Sequence, residues 1–95
     1  MRNYEIMYIV NASIDEEARK AEIEKLHNIL KSNKVEIRDV KEWGLRDFAY
    51  PIKSQNKGYY VILKVTGNYK DLNEFSRLVR LNGNVLRHLV TDDQD

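Results

Sequence analysis

Along this chain the spacing of apolar residues changes from two to helical and back, twice, and few folds accept the resulting order of strand, helix, strand, strand, helix, strand. Residues 2 to 10 alternate tyrosine and aliphatic side chains with polar ones, although Met7 and Ile9 make the second face partly apolar as well. Ser13 with Glu16 fits a capping box, and Asp15, Glu16 and Glu17 suit the positive end of a helix. Ile23, Leu26 and Leu30 then recur at helical spacing, which predicts a helix over 14–32, with Asn33 taking the left-handed turn that ends it.

From Val35 to Ile52 the apolar positions run odd, slip near Val40, return to odd at Trp43 and Leu45, and become even at Phe48, Tyr50 and Ile52. Side chains alternate faces with a period of two, so a change of parity without a turn signals a bulge, and Gly44 is a residue that a bulge accepts. One long, bent strand is expected. Residues 54–58, SQNKG, read as a turn, after which Tyr59, Val61, Leu63 and Val65 face one way and Tyr60, Ile62, Lys64 and Thr66 the other. Asn68 can cap a second helix carrying Leu72, Phe75 and Val79, Gly83 can stop it, and VLRHLV closes the chain as a strand.

The order βαββαβ is the split βαβ, or ferredoxin-like, plan: an α+β fold with two helices on one face of a four-stranded antiparallel sheet in the order 4-1-3-2. In that plan strand two lies at an edge, where Pro51, having no amide hydrogen, is tolerated. Residues 1–95 are expected to form a single domain, with a short acidic tail at 91–95. No apolar run approaches the roughly 20 residues of a membrane span, and the start, MRNYEIMYIV, has no signal-peptide layout, so a soluble, cytoplasmic protein is expected.

Little in the chain supports catalysis. It has no cysteine, hence no disulfide, thiolate nucleophile or zinc knuckle. His27 and His88 lie on a helix and on the last strand, with no partners at triad or metal spacing. Acylphosphatases share this topology and hold phosphate with a glycine-rich, arginine-bearing loop after strand one; here that loop is NASID. No enzyme activity, metal or cofactor is therefore expected.

Binding is the better prospect. KGYYVIL, residues 57–63, partly matches the third strand of an RNA-recognition motif, but the position of its second stacking ring holds Val61, and its parity sends Tyr59 and Val61 under the helices. The open face would carry Met7, Ile9, Tyr60, Ile62 and Leu89, rimmed by Glu5, Lys64 and Arg87, which suits protein docking. Net charge is only +1, yet residues 35–90 hold ten basic and six acidic side chains, a surplus of four that the acidic tail masks. A ferredoxin-like regulatory domain that binds a protein or a small ligand, with no RNA role, is the alternative.

MRNYEIMYIV, WGLRDFAYPI, the G-Y-Y strand after it and the closing EFSRLVRLNGNVLRHLV resemble, in order and spacing, the bacterial ribosomal protein S6 family of the small subunit. The resemblance implies a non-catalytic component that binds the central domain of small-subunit ribosomal RNA as a heterodimer with ribosomal protein S18. It places Arg2, Arg46, Arg80 and Arg87 at the family's basic positions, as candidate RNA contacts. A few arginines can suffice when a partner supplies the rest of the phosphate neutralisation. Many relatives have a second basic residue after the motif arginine; Asp47 stands there, removing a phosphate contact or pairing with Arg46.

Overall fold

The computed structural model describes residues 2–92; the last three residues of the expected acidic tail lie outside them. Its elements are β1 (Arg2–Asn11), α1 (Glu16–Ser32), β2 (Glu36–Ile52), β3 (Gln55–Gly67), α2 (Tyr69–Arg80) and β4 (Val85–Asp92). The strands form one antiparallel sheet in the order β2-β3-β1-β4, the expected ferredoxin-like arrangement with β2 at an edge. β4 runs two residues further than the apolar pattern suggested, because Thr91 and Asp92 continue the ladder opposite Glu5 and Tyr4.

The helices cover the face formed by the even positions of β1 and the odd positions of β3. Tyr4, Ile6, Tyr8 and Val10 meet Val61, Leu63 and Val65 there, under Leu26 and Leu30 of α1 and Leu72, Phe75 and Val79 of α2. Tyr8 and Phe75 are among the largest fully buried side chains. Burying a side chain of this kind contributes roughly 1.5–3 kcal/mol, so these two helical stripes hold the layers together.

Three local expectations are corrected. Asp15, not Ser13, caps α1: its carboxylate accepts the Ala18 N–H at 2.7 Å, while the Ser13 hydroxyl donates to Asn11 Oδ1. Asn33 ends α1 at φ −95°, and the left-handed residue is Lys34 at φ 65°. The β2–β3 turn is Lys53–Ser54 alone, because Ile52 pairs with Gln55 and the strands run almost to the tip. Both turn residues have positive φ, 49° and 67°, as a two-residue hairpin matched to the strand twist demands.

The parity slips are real breaks in the β2–β3 register, between Ile37 and Asp39, Glu42 and Gly44, and Asp47 and Ile52. Gly44 sits at φ 85°, a conformation other residues rarely adopt. Its bulge brings Trp43 onto the side of the sheet away from the helices, where the indole stacks on Tyr60 with centroids 6.4 Å apart.

Candidate nucleic-acid interface

Register fixes where the four arginines stand. Arg46 pairs with Gly58 and Arg2 with Gly67, nine positions further along β3, which is about 30 Å at roughly 3.3 Å per residue. That is most of the chain's 36 Å length. Arg87 pairs with Ile9, which is opposite Tyr60, which in turn is opposite Gly44. Arg46 and Arg87 thus share the open face and one end of the sheet, separated by three strand spacings of roughly 4.8 Å. Arg80 ends α2 at the same end but in the helical layer. Arg2 is alone at the far end.

All four are exposed, and among the described residues none is in an ion pair. Asp47 does not neutralise Arg46; it pairs across the hairpin with Lys57, at 3.8 Å. The guanidinium of Arg46 is therefore available to an anion. Arg2 borders an open groove of about 560 Å³ with Tyr4, Asn68, Tyr69, Thr91 and Asp92. The rings of Tyr4 and Tyr69 lie 6.5 Å apart there, and Tyr69 is largely exposed.

The open face is less exposed than its composition suggests. Met7, Ile9, Tyr60, Ile62 and Leu89 all lie on it, but Ile9 and Ile62 are covered, at 2% and 8% exposure. Phe48 folds over Gly58 against Ile9 and meets Tyr60 with centroids 6.2 Å apart. The accessible apolar surface at these positions is that of Leu89, with half-buried Met7 and Tyr60. Trp43 and Tyr50, which strand periodicity would bury, are instead 51% and 67% exposed. Gly44 was the sequence signal for this: one residue of slip brings the indole out from the helical side.

On the helical side, polar contacts link α1 with β1 and β3, and β3 with β2. Tyr8 and His27 share a hydrogen bond of 3.1 Å, the Tyr59 hydroxyl donates to Glu42 Oε1 at 3.1 Å, and the Arg19 guanidinium lies 4.2 Å over the Tyr59 ring. Burial pushes the Tyr8 hydroxyl pKa far up and holds the His27 pKa down, reinforced by Lys31 and opposed by Glu42. Burial also lowers the His88 pKa, with nearby Arg80 acting in the same direction. Both histidines are thus held toward the neutral form by their surroundings. Among the described residues there is no group of three or more His, Cys, Asp or Glu side chains placed to hold a metal ion.

Comparison with known proteins agrees with the fold. The model of the family described as Ribosomal protein S6 matches residues 3–92. A crystal structure of the 30S ribosomal protein S6 from Thermotoga maritima superposes with a TM-score of 0.92 at 29% identity, covering 97% of this chain and 87% of that one. The C-terminal domain of the MgtC protein from Mycobacterium tuberculosis superposes with a TM-score of 0.65 at 10% identity, over 99% and 89% of the two chains, a likeness of fold alone.

Proposed function

The chain belongs to the ribosomal protein S6 family, and on that premise we propose that it binds the central domain of small-subunit ribosomal RNA as a heterodimer with ribosomal protein S18. Membership makes it a small-subunit ribosomal protein of a structural, non-enzymatic class. The finer reading is carried by one observation. Arg46 stands exposed on the bent edge strand with no acid paired to it, because Asp47 is held by Lys57.

Arg46 and Arg87 contact phosphate from the open end of the sheet, Arg80 supplements them from α2, and Arg2 makes a separate contact at the far end. Few cations on one chain mean few released counterions, so binding by this protein alone is weak and only shallowly salt-dependent. S18 completes the charged surface. It docks on the apolar positions of the open face, with Leu89, Met7 and Tyr60 in contact and the covered Ile9 and Ile62 backing them.

Binding to small-subunit RNA fragments, with this protein alone, S18 alone and both together, tests the reading. Tight binding by the pair only is the expected result. Arg46→Ala should lower the slope of log affinity against log salt by about 0.9, the contribution of one phosphate contact. An unchanged slope removes Arg46 from the interface.

A further inference from the structure

Among the described residues nothing pairs with the free edge of β2, a long strand that carries four of their seven exposed large hydrophobics, Val40, Trp43, Leu45 and Tyr50. We propose that this edge pairs antiparallel with β2 of a second copy, about a two-fold axis that runs perpendicular to the sheet beside Glu42. Such an axis keeps each copy's helices on the same side of one continuous sheet, so every residue must meet a partner from its own face.

The β3 partners assign those faces. Asp39, Lys41, Gly44 and Arg46 lie opposite Lys64, Ile62, Tyr60 and Gly58, on the open face; Val40, Glu42 and Leu45 lie opposite Leu63, Val61 and Tyr59, on the helical face. With the extra residue Trp43 bulged out, the axis at Glu42 sets Asp39 opposite Arg46 of the second copy, Val40 opposite Leu45, and Lys41 opposite Gly44. Both members of each pair share a face. Symmetry repeats each contact, giving two Asp–Arg pairs and two contacts between exposed apolar side chains, Val40 at 41% and Leu45 at 56% exposure.

Charges and bulges on an edge ordinarily prevent such pairing. Here they disfavour the two adjacent registers instead. Moving the axis one residue back sets Lys41 opposite its own copy, and moving it one residue forward sets Lys41 opposite Arg46; both oppose like charges directly, which destabilises a strand pair. The register about Glu42 has one like-charge contact, Glu42 against Glu42 at the axis, and each of those carboxylates already accepts the Tyr59 hydroxyl of its own chain. Self-pairing occupies Arg46, so the paired form cannot offer it to RNA. That consequence rests on the assignment of Arg46 above, whereas the pairing itself does not.

Sedimentation equilibrium of the full chain at low salt tests the pairing. The mass should rise from 11.3 kDa toward twice that value, over a range from about 10 µM to about 1 mM. Asp39→Arg and Arg46→Asp should each stay monomeric, and the double variant, which exchanges the two charges, should associate again. Glu42→Gln should associate at roughly three- to fivefold lower concentration than the parent, because it removes the repulsion at the axis. A parent chain that stays at 11.3 kDa throughout, or a folded double variant that stays monomeric, overturns the proposal. Should a single variant not fold, the parent series and Glu42→Gln still decide it. The double variant should also lose RNA binding; if it associates and keeps RNA binding, the pairing stands and the RNA role of Arg46 falls.

Discussion

Phe48 lies across Gly58 on the open face, so close that a β-carbon built on Gly58 would stand 2.6 Å from Phe48 Cζ and would also overlap Ile9 Cγ2. The glycine is needed for space and not for its backbone conformation. Ile9 is buried and β-branched, so it cannot step aside cheaply. Gly58→Ala should therefore destabilise the fold by about 1–3 kcal/mol, as overpacking does. Adding Phe48→Ala should recover only part of the loss, because Ile9 still blocks the site. Gly44→Ala meets no atom within 4 Å but is strained by φ 85°, and should cost about 1 kcal/mol. Urea denaturation of the three variants separates crowding from strain.

The hairpin tip makes the opposite prediction. Lys53 and Ser54 both sit at positive φ without being glycine or asparagine, an arrangement that costs roughly 1 kcal/mol per residue. Lys53→Asn with Ser54→Gly supplies the dipeptide this turn favours. It should raise stability by about 1 kcal/mol, read as a higher urea midpoint with an unchanged m-value. A lower midpoint would mean that the lysine or serine side chain stabilises the tip in another way.

Much of this architecture was legible from spacing. Tyr59, Val61, Leu63 and Val65 lie on the helical face and Tyr60, Ile62, Lys64 and Thr66 on the open one, as their alternation requires. Gly44 marked its bulge because a change of parity without a turn has few other causes. Caps were less readable. Asn11, Ser13 and Asp15 are all capable acceptors within five residues, and only the path of the loop decides that Asp15 reaches the helix. Exposure on β2 was hidden for a different reason. Periodicity says which face a ring is on but not whether another element covers that face, and nothing covers Trp43 from above while Phe48 covers Ile9. For the arginines, number and spacing were legible but separation was not. Register alone reveals that Arg2 lies a sheet length from Arg46.

His27 makes stability depend on pH. Burial first, and then Lys31, hold its pKa in the folded chain below the ordinary histidine value. The unfolded chain therefore binds this proton more readily. The contribution of His27 is fully present above about pH 6.5 and is lost as pH falls through the lower folded-state pKa. His88, depressed by burial and by Arg80, acts in the same direction. Urea midpoints should fall between pH 7 and pH 5, and His27→Asn should flatten that dependence while lowering stability at pH 7, where the bond to Tyr8 is lost. A profile as steep in the variant as in the parent would assign the effect to other groups.

Asp47 stands beside Arg46, and its effect on RNA binding is separable from any effect on the fold. Its side chain and that of Lys57 are 80% and 64% exposed, at 3.8 Å, so the pair contributes at most about 1 kcal/mol to stability. Toward a polyanion the same carboxylate matters more. It repels phosphate beside Arg46 and holds Lys57, which would otherwise be a further free cation on the hairpin. Asp47→Asn should leave the urea midpoint nearly unchanged while tightening binding of the S18-paired protein to small-subunit RNA. If Lys57 then reaches a phosphate, the salt slope steepens by about 0.9. Lys57→Ala in the Asp47→Asn background should return the slope to its parental value, because the added contact is that of Lys57. An Asp47→Asn slope equal to the parental one, with no gain in affinity, would mean that the hairpin points away from the RNA and that Arg87, Arg80 and Arg2 carry the contact.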